Sequence, residues 1–400
     1  MNEGWRDAPA QTPAHARGRP RTNLITAALF AFLIVFAFFY ARSALNSALL
    51  FLLILVGLVW VHELAHFLTA KLFGVYVHEF GLGFPPRIWG KRIGETEYTI
   101  NWLPIGGFVR LEGEENASKP RSLAAKPRWQ RFIVLVSGAV ANLLLPVVLF
   151  AAALSFPHEE SIGRPVVTSV VPNAPAAAAG LKSGDVIYAV EDRNVKNVSE
   201  GSRYINLYRG REIEMRVKRG SDFVDLRMHA RWAPPPGQGP TGISIASQYP
   251  FTERVALAPW ESIPRGVRQT WDTLFIARNE IISWFKGASG PQLAGPVGIA
   301  QTTGEVARAS ESAASAVSPL LELAALLSVN LGILNLLPLP MLDGGRVLFL
   351  LIEVARRGKR IAPEREALIH LVGFAMFIVL AVVITFFDIS RIAAGESIFR

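Results

Sequence analysis

Residues 48–66 read ALLFLLILVGLVWVHELAH, and this stretch decides the fold. Residues 48–61 carry no charge, and a helix this apolar is typical of a membrane span. His62 and His66 are four residues apart, so on a helix both imidazoles lie on one face and are able to bind a single Zn²⁺. Glu63 directly follows the first histidine, where it is placed to act as a general base.

The pattern H-E-x-x-H is short enough to arise by chance, which is the alternative to a metal site. Here, however, the three ionisable residues continue an apolar run. Ionisable groups at membrane depth are costly to bury and mark function by default. We therefore favour a zinc site at this position.

Composition agrees with a membrane protein. Of 400 residues, 51% are hydrophobic and 18% are charged. The net charge of +9 is spread over the segments between apolar runs, as the positive-inside rule expects. The lipid bilayer is therefore an expected partner, and nucleic acid is not. The chain has no cysteine, which excludes disulfide bonds and cysteine-ligated zinc.

Five apolar runs predict a polytopic α-helical membrane protein, in which the last four runs form the core. They lie at residues 24–40, 45–73, 132–156, 320–342 and 368–387. Residues 1–22 predict a disordered cytoplasmic tail, and residues 23–41 an extra transmembrane helix or signal anchor. A cleaved signal peptide is the alternative for this first run, although the run is long for one. Residues 45–156 and 319–390 are then the two parts of one membrane domain.

The basic segment at residues 74–131 separates the second run from the third, and we expect it in the cytoplasm. Within it, residues 96–102 and 108–111 alternate like strands around a turn at residues 104–107. The pattern predicts a β-hairpin. This hairpin either dips toward the membrane or lies at an ordinary protein surface.

A region of soluble composition follows the third run. Within it, residues 179–187 read AGLKSGDVI and resemble the PDZ family, with a resemblance that covers residues 161–232. The resemblance implies an α+β domain that either binds a peptide along a sheet edge, with Leu181 in the groove, or serves as a rigid plug. Residues 233–318 are predicted as a linker whose amphipathic helix, at residues 260–285, lies near the membrane surface.

A second polar cluster ends the fourth run, where residues 335–345 read NLLPLPMLDGG. An acid beside prolines and glycines indicates a broken helix that lines a cavity. The alternative is that Asp343 only caps the helix that follows. A capping aspartate does not require the preceding Asn-x-x-Pro-x-Pro, so we favour the cavity.

The distribution of charge orients the spans. If the amino terminus is cytoplasmic and five spans are present, the basic residues 74–131 and 345–365 both lie inside. The PDZ-like region is then extracytoplasmic. The H-E-x-x-H motif and Asp343 come to similar depths near the inner ends of two spans, as a shared metal requires.

These motifs together resemble the site-2 protease family of intramembrane zinc metalloproteases. The resemblance rests on His62-Glu63-Leu64-Ala65-His66 and on Asn335-x-x-Pro338-x-Pro340-x-Leu342-Asp343-Gly344. Residues 104–109, PIGGFV, resemble the re-entrant β-hairpin of that family. A single PDZ-like domain resembles the bacterial branch that includes the regulator of sigma-E protease. The first apolar run and the lack of room for a second PDZ domain depart from that pattern.

The resemblance implies a zinc metalloprotease of the bacterial inner (plasma) membrane. It implies that Zn²⁺ is bound by His62, His66 and Asp343, with Glu63 as the catalytic base. It also implies substrate contacts from one amide side chain and from the hairpin, namely Asn335, Gly106, Gly107 and Phe108.

The expected substrates are single-span membrane proteins, such as an anti-sigma factor already trimmed outside the membrane. Clearance of remnant signal peptides is an alternative use of the same chemistry. A membrane zinc transporter and a PDZ scaffold are alternatives from other classes. The transporter would not need Glu63 beside a ligand, and the scaffold would need neither His62 nor Asp343.

Overall fold

The computed structural model describes residues 42–114, 119–288, 290, 294–310 and 312–395. Its helices are α1 (Arg42–Leu72), α2 (Arg128–Ser155), α3 (Pro175–Ala178), α4 (Val198–Leu207), α5 (Pro259–Phe285), α6 (Pro296–Ala309), α7 (Ala313–Leu336), α8 (Asp343–Ala355) and α9 (Pro363–Ala393). Its strands are β1 (Val77–Ile93), β2 (Thr96–Leu111), β3 (His158–Ile162), β4 (Pro165–Val170), β5 (Val186–Val190), β6 (Arg193–Asn194), β7 (Glu212–Arg219), β8 (Asp222–His229), β9 (Ile243–Ser247) and β10 (Phe251–Val255).

Four helices in the described part of the chain are long and apolar enough to cross a membrane: α1, α2, α7 and α9. They coincide with four of the predicted runs, whereas the first run and the tail before it lie outside the described residues. Helix α7 ends at Leu336 and the next helix begins at Asp343, so the helix breaks within the segment where the sequence predicts a break. Pro338 and Pro340 explain the break, because proline lacks an N–H and disfavours helical geometry in the residue before it.

Helix α2 is approached closely by two other helices at glycine residues. A Cβ built on Gly332 of α7 would lie 3.0 Å from the carbonyl oxygen of Ala139. A Cβ built on Gly266 of α5 would lie 2.9 Å from the backbone nitrogen of Ala151. Small residues at such crossings are typical of helices in lipid, where van der Waals packing rather than the hydrophobic effect drives association.

A small antiparallel sheet of β1 and β2 follows α1. Residues 79–82 of β1 pair on both edges, with residues 97–100 on one side and residues 107–110 on the other. The strand can bend here because Gly83 has a φ of +76° and packs against backbone. A Cβ built on it would lie 2.6 Å from the Leu103 carbonyl oxygen, so only glycine fits.

This hairpin differs from the one that the sequence predicts. We predict two strands around a turn at residues 104–107, whereas all of these residues belong to β2. The partner strand is β1, which sequence analysis assigned only to a basic segment. Pro85 and Pro86 interrupt its apolar pattern, so only the pairing with β2 identifies it as a strand.

The sheet domain, residues 165–247, contains a sheet in the order β8-β7-β5-β4-β9, with β6 paired to β5. Its core consists of apolar side chains from the strands, from α3 and α4 and from adjoining loops, including Val167, Ile187, Ile213, Met215, Val217, Ala176 and Ile205. Leu181 is only 4% exposed within this core. Leu181 therefore does not line a groove, and our prediction for this residue was wrong.

The sheet domain also ends later than predicted. Strand β9 pairs with β4, so the sheet continues to Ser247, beyond residue 232. Residues 233–318, predicted as a linker with one helix, contain β9, β10, α5 and α6. The boundary was missed because β9 joins the sheet through a partner strand more than 70 residues earlier in the chain (243 − 170 = 73).

A two-stranded ribbon of β3 and β10 connects the sheet domain to α2 and α5. At its end, the N–H of Gln248 donates a 2.9 Å hydrogen bond to the carbonyl of Arg164. The chain thus enters and leaves the sheet domain at adjacent points.

Candidate metal centre

His62 and His66 lie one above the other in the last third of α1, as the spacing predicts. Both residues are buried, at 6% and 9% exposure. Their Nε2 atoms are 3.1 Å apart. His62 directly follows the uncharged run of residues 48–61. Both histidines therefore belong to a helix that is long and apolar enough to span a membrane.

Asp343 reaches the two histidines from the other end of the chain. It is the first residue of α8, and Leu342 before it is the N-cap. Its Oδ2 lies 3.0 Å from Nε2 of His62 and 3.1 Å from Nε2 of His66. The carboxylate therefore faces the imidazoles, and the reading in which Asp343 only caps α8 does not describe the structure.

The loop between α7 and α8 is tight enough to require glycine after Asp343. A Cβ built on Gly344 would lie 2.1 Å from the carbonyl oxygen of Leu337, and one built on Gly345 would lie 2.3 Å from that of Leu339. The two glycines allow the chain to turn back sharply between α7 and α8, and this turn brings Asp343 to the level of His62 and His66 in α1.

These three donor atoms fit a zinc ion. They form a nearly equilateral triangle with sides of 3.0, 3.1 and 3.1 Å. Ligands at ~2.0–2.1 Å from a tetrahedral zinc ion are about 3.3–3.4 Å apart, so the triangle is only slightly smaller than required. Two imidazoles and one carboxylate form a ligand set that leaves one tetrahedral position for water or substrate.

Helix α2 orients both imidazoles. The carbonyl of Val134 accepts a hydrogen bond from Nδ1 of His66 at 2.7 Å, which leaves Nε2 unprotonated for a metal. The Nδ2 of Asn142 lies 3.3 Å from Nδ1 of His62, and the Oδ1 of Asn142 has no hydrogen-bond partner among the described residues. Zinc ligation through Nε2 places a proton on Nδ1, so we expect the amide to turn its oxygen toward His62.

Gly138 gives the imidazoles their space. A Cβ on this residue would lie 2.4 Å from Nε2 of His66 and 2.6 Å from Nε2 of His62. Val134, Gly138 and Asn142 are four residues apart, so one face of α2 forms the wall behind the metal donors. From the sequence, neither Gly138 nor Asn142 was assigned to the site. Their spacing was the signal that could have assigned them to the site.

Glu63 lies between the metal donors and the hairpin. A Cβ built on Gly107 would lie 3.2 Å from Cγ of Glu63. The Glu63 carboxylate makes no hydrogen bond to another described residue. Glu63 and Gly107, both predicted as site residues, are therefore neighbours in the structure.

The other predicted substrate residues make different contacts. Gly106 has a φ of +92° and adjoins the ring of Phe84. Phe108 stacks on Phe84 with ring centroids 6.4 Å apart, so its ring packs within the hairpin. Asn335 is half-buried in the last turn of α7, and no contact of its side chain with the donor atoms is described.

Comparison with known proteins agrees with this geometry. The model of peptidase family M50 matches residues 50–380, which include the three metal donors and Glu63. Zinc metalloprotease RasP of Geobacillus kaustophilus is 29% identical over 435 residues, covering 87% of this chain and 99% of the relative. A Clostridium perfringens protein, also named for a zinc metalloprotease, is 34% identical over 343 residues, covering 84% of this chain and 97% of the relative.

The match to the family spans most of the chain, and both relatives are covered almost completely. The described chain also contains four helices able to span a membrane. The protein is therefore a membrane-embedded zinc metalloprotease, and it belongs to peptidase family M50.

Proposed function

We propose that this metalloprotease is an intramembrane endopeptidase that cleaves the transmembrane segments of single-span membrane proteins. The observation that carries the proposal is the position of the metal donors. His62 and His66 lie well inside a helix that is long and apolar enough to span a membrane. A peptide bond must come to that depth to be cut.

In this proposal, His62, His66 and Asp343 hold the zinc. Zinc bound there supplies a Lewis acid that makes water nucleophilic near neutral pH and neutralises the charge developing on the peptide carbonyl. Glu63 takes the proton from the attacking water and returns it to the departing amide nitrogen. The Val134 carbonyl, and the Asn142 side-chain oxygen once the amide turns toward His62, would hold the imidazoles in the tautomer that leaves each Nε2 free.

A substrate helix must unwind before it is cut, because its carbonyls are engaged in its own hydrogen bonds. Residues 107–110 pair with residues 79–82 along one edge, and their other edge has no strand partner in the described part of the chain. An unwound substrate added to that edge, beside Gly107, would pass Glu63. The absence of a side chain on Gly107 leaves room for this strand.

Asn335 is proposed as a second point of contact. A carboxamide is able to bond both the N–H and the C=O of an extended peptide. It lies at the end of α7, one loop before Asp343. We propose that it holds the extended substrate on its way to the metal donors.

We further propose that the sheet domain is an extracytoplasmic PDZ domain that limits access to the site. Its edge strand β9 runs beside α4, which gives a groove of the kind in which PDZ domains bind a peptide as an added strand. The domain is tethered to α2 and α5 by the ribbon of β3 and β10. We favour a steric filter that admits substrates whose outer domain is already gone, such as a trimmed anti-sigma factor or a remnant signal peptide.

Replacing Glu63 distinguishes the protease from the two alternatives, a zinc transporter and a PDZ scaffold, whose functions would not depend on this residue. For Glu63→Gln, we expect about one zinc per chain to remain, because the three donors are unchanged, while cleavage of a single-span substrate is lost. Zinc content and cleavage are measured on the same purified sample. A variant that still cleaves would refute the role of Glu63, and loss of zinc would make Glu63 part of the metal site.

A further inference from the structure

A polar cavity of about 170 Å³ lies between the sheet domain and α5, far along the chain from the metal donors. We call it the arginine cavity, and define it by Arg193, Arg209, Arg211, Trp232, Trp271 and Arg278. The arginines come from both the sheet domain and α5. Two tryptophans form apolar walls beside them.

The cavity carries an excess of positive charge. Arg193 pairs with Asp272, and Arg209 pairs with Glu280 at 2.7 Å. Arg211 and Arg278 form no ion pair with another described residue. Two guanidinium groups are therefore available for an anion, and arginine binds phosphate with planar, bidentate geometry.

Two buried polar atoms of residues that line the cavity lack hydrogen-bond partners in the described part of the chain. Nε of Arg209 and Oδ1 of Asp272 have no hydrogen-bond partner among the residues that the structure describes, and Asp272 is only 3% exposed. Most buried polar atoms in proteins have a hydrogen-bond partner, so both atoms have an unused capacity to bond a ligand. One atom is a donor and the other an acceptor. A phosphate that also carries a hydroxyl group would satisfy both.

Helix α5 connects the arginine cavity to a candidate membrane span. Gly266 packs α5 against α2, a candidate membrane span. The exposed side of α5 carries an apolar stripe with helical spacing, formed by Trp260, Ile263, Val267 and Trp271. Trp271 belongs to both the stripe and the cavity. Acyl chains lying along the stripe would therefore place a phosphate at the arginines.

We propose that the arginine cavity binds the headgroup of an anionic phospholipid whose phosphodiester carries a hydroxylated headgroup, as in phosphatidylglycerol. Arg211 and Arg278 bind the phosphate, and Asp272 accepts a hydrogen bond from the headgroup hydroxyl. The bound lipid joins the sheet domain to α5. This inference concerns lipid binding and does not depend on the proposed cleavage of membrane segments.

The experiment uses the full-length, zinc-loaded protein in detergent, with lipid binding measured by native mass spectrometry. The probes are phosphatidylglycerol, phosphatidylcholine and soluble glycerol phosphate. The double variant Arg211→Gln/Arg278→Gln is compared with Arg254→Gln, which removes an exposed arginine of β10 outside the cavity. Zinc content and the unfolding temperature show that each variant is folded.

We expect the unchanged protein to bind phosphatidylglycerol at least tenfold more tightly than phosphatidylcholine. The double variant should lose roughly tenfold or more of that affinity, because charge-assisted bonds to phosphate are lost, and Arg254→Gln should lose little. Equal binding of the two lipids would overturn the proposal. So would unchanged binding by a folded double variant. Glycerol phosphate bound as tightly as the lipid would show a site for a soluble anion, which also overturns it.

Discussion

Replacing Gly138 with alanine tests whether α2 forms the wall of the metal site. The added Cβ would lie 2.4 Å from Nε2 of His66, whereas side-chain contacts are rarely closer than about 3.4 Å. One of the two groups must therefore move by roughly 1 Å. Metal sites tolerate ligand displacements of about 0.2 Å, so the donors can no longer meet at one ion.

Mutating a residue that orients a metal ligand typically lowers metal affinity by about 10–100-fold. We expect Gly138→Ala to lower zinc affinity by at least this much, because it displaces a ligand itself. Affinity is measured by competition with a chelator on purified protein. Gly57→Ala is the matched control, because Gly57 lies in α1 and a Cβ there would meet no atom within 4 Å. Wild-type zinc affinity in a folded Gly138→Ala protein would refute the geometry described for α1 and α2.

Three further predictions follow from the structure. Asn142→Ala should lower zinc affinity about 10–100-fold because His62 loses its orienting amide, and a chelator titration with no change would contradict this. Burial raises the pKa of Asp185, but hydrogen bonds from Arg219 and from the Lys182 N–H lower it more, so its pKa lies below the usual value. Its contribution to stability is therefore present above about pH 3.9, the value in unfolded chains, and is lost as the pH falls through the folded-state pKa. Asp185→Asn should destabilise the sheet domain by about 1.5–3 kcal/mol at pH 7, measured by hydrogen exchange in the full chain, and an equal difference at pH 2 would argue against the ion pair. Residues 165–247 can be deleted by joining Arg164 to Gln248, which are already hydrogen-bonded. This deletion should allow cleavage of substrates with long outer domains, while substrates with short outer domains are still cut. Loss of cleavage of the substrates with short outer domains would favour a recruiting role instead.

Local sequence patterns were sufficient to predict much of the metal site. His62, Glu63 and His66 are adjacent in one helix, so their arrangement follows from helical geometry alone. Asp343 was predicted because its apolar run breaks at prolines and glycines, which is also a local signal. The structure brings its carboxylate to 3.0 Å from His62.

Other features depend on contacts between distant segments, and sequence patterns did not predict them. The roles of Gly138 and Asn142 depend on how α2 is rotated about its axis against α1. Strand β1 is identified only by its pairing with both halves of β2, and β9 only by its pairing with β4. Alternation within one strand does not specify its partner.

The position of the cleaved bond tests the central claim most directly. Purified protein would be incubated with a single-span substrate lacking its outer domain, and the products would be sequenced by mass spectrometry, with Glu63→Gln as the inactive control. We predict one or a few cuts inside the apolar segment of the substrate, and none with Glu63→Gln. Cuts confined to the soluble flanks of the substrate would contradict a protease that works at membrane depth.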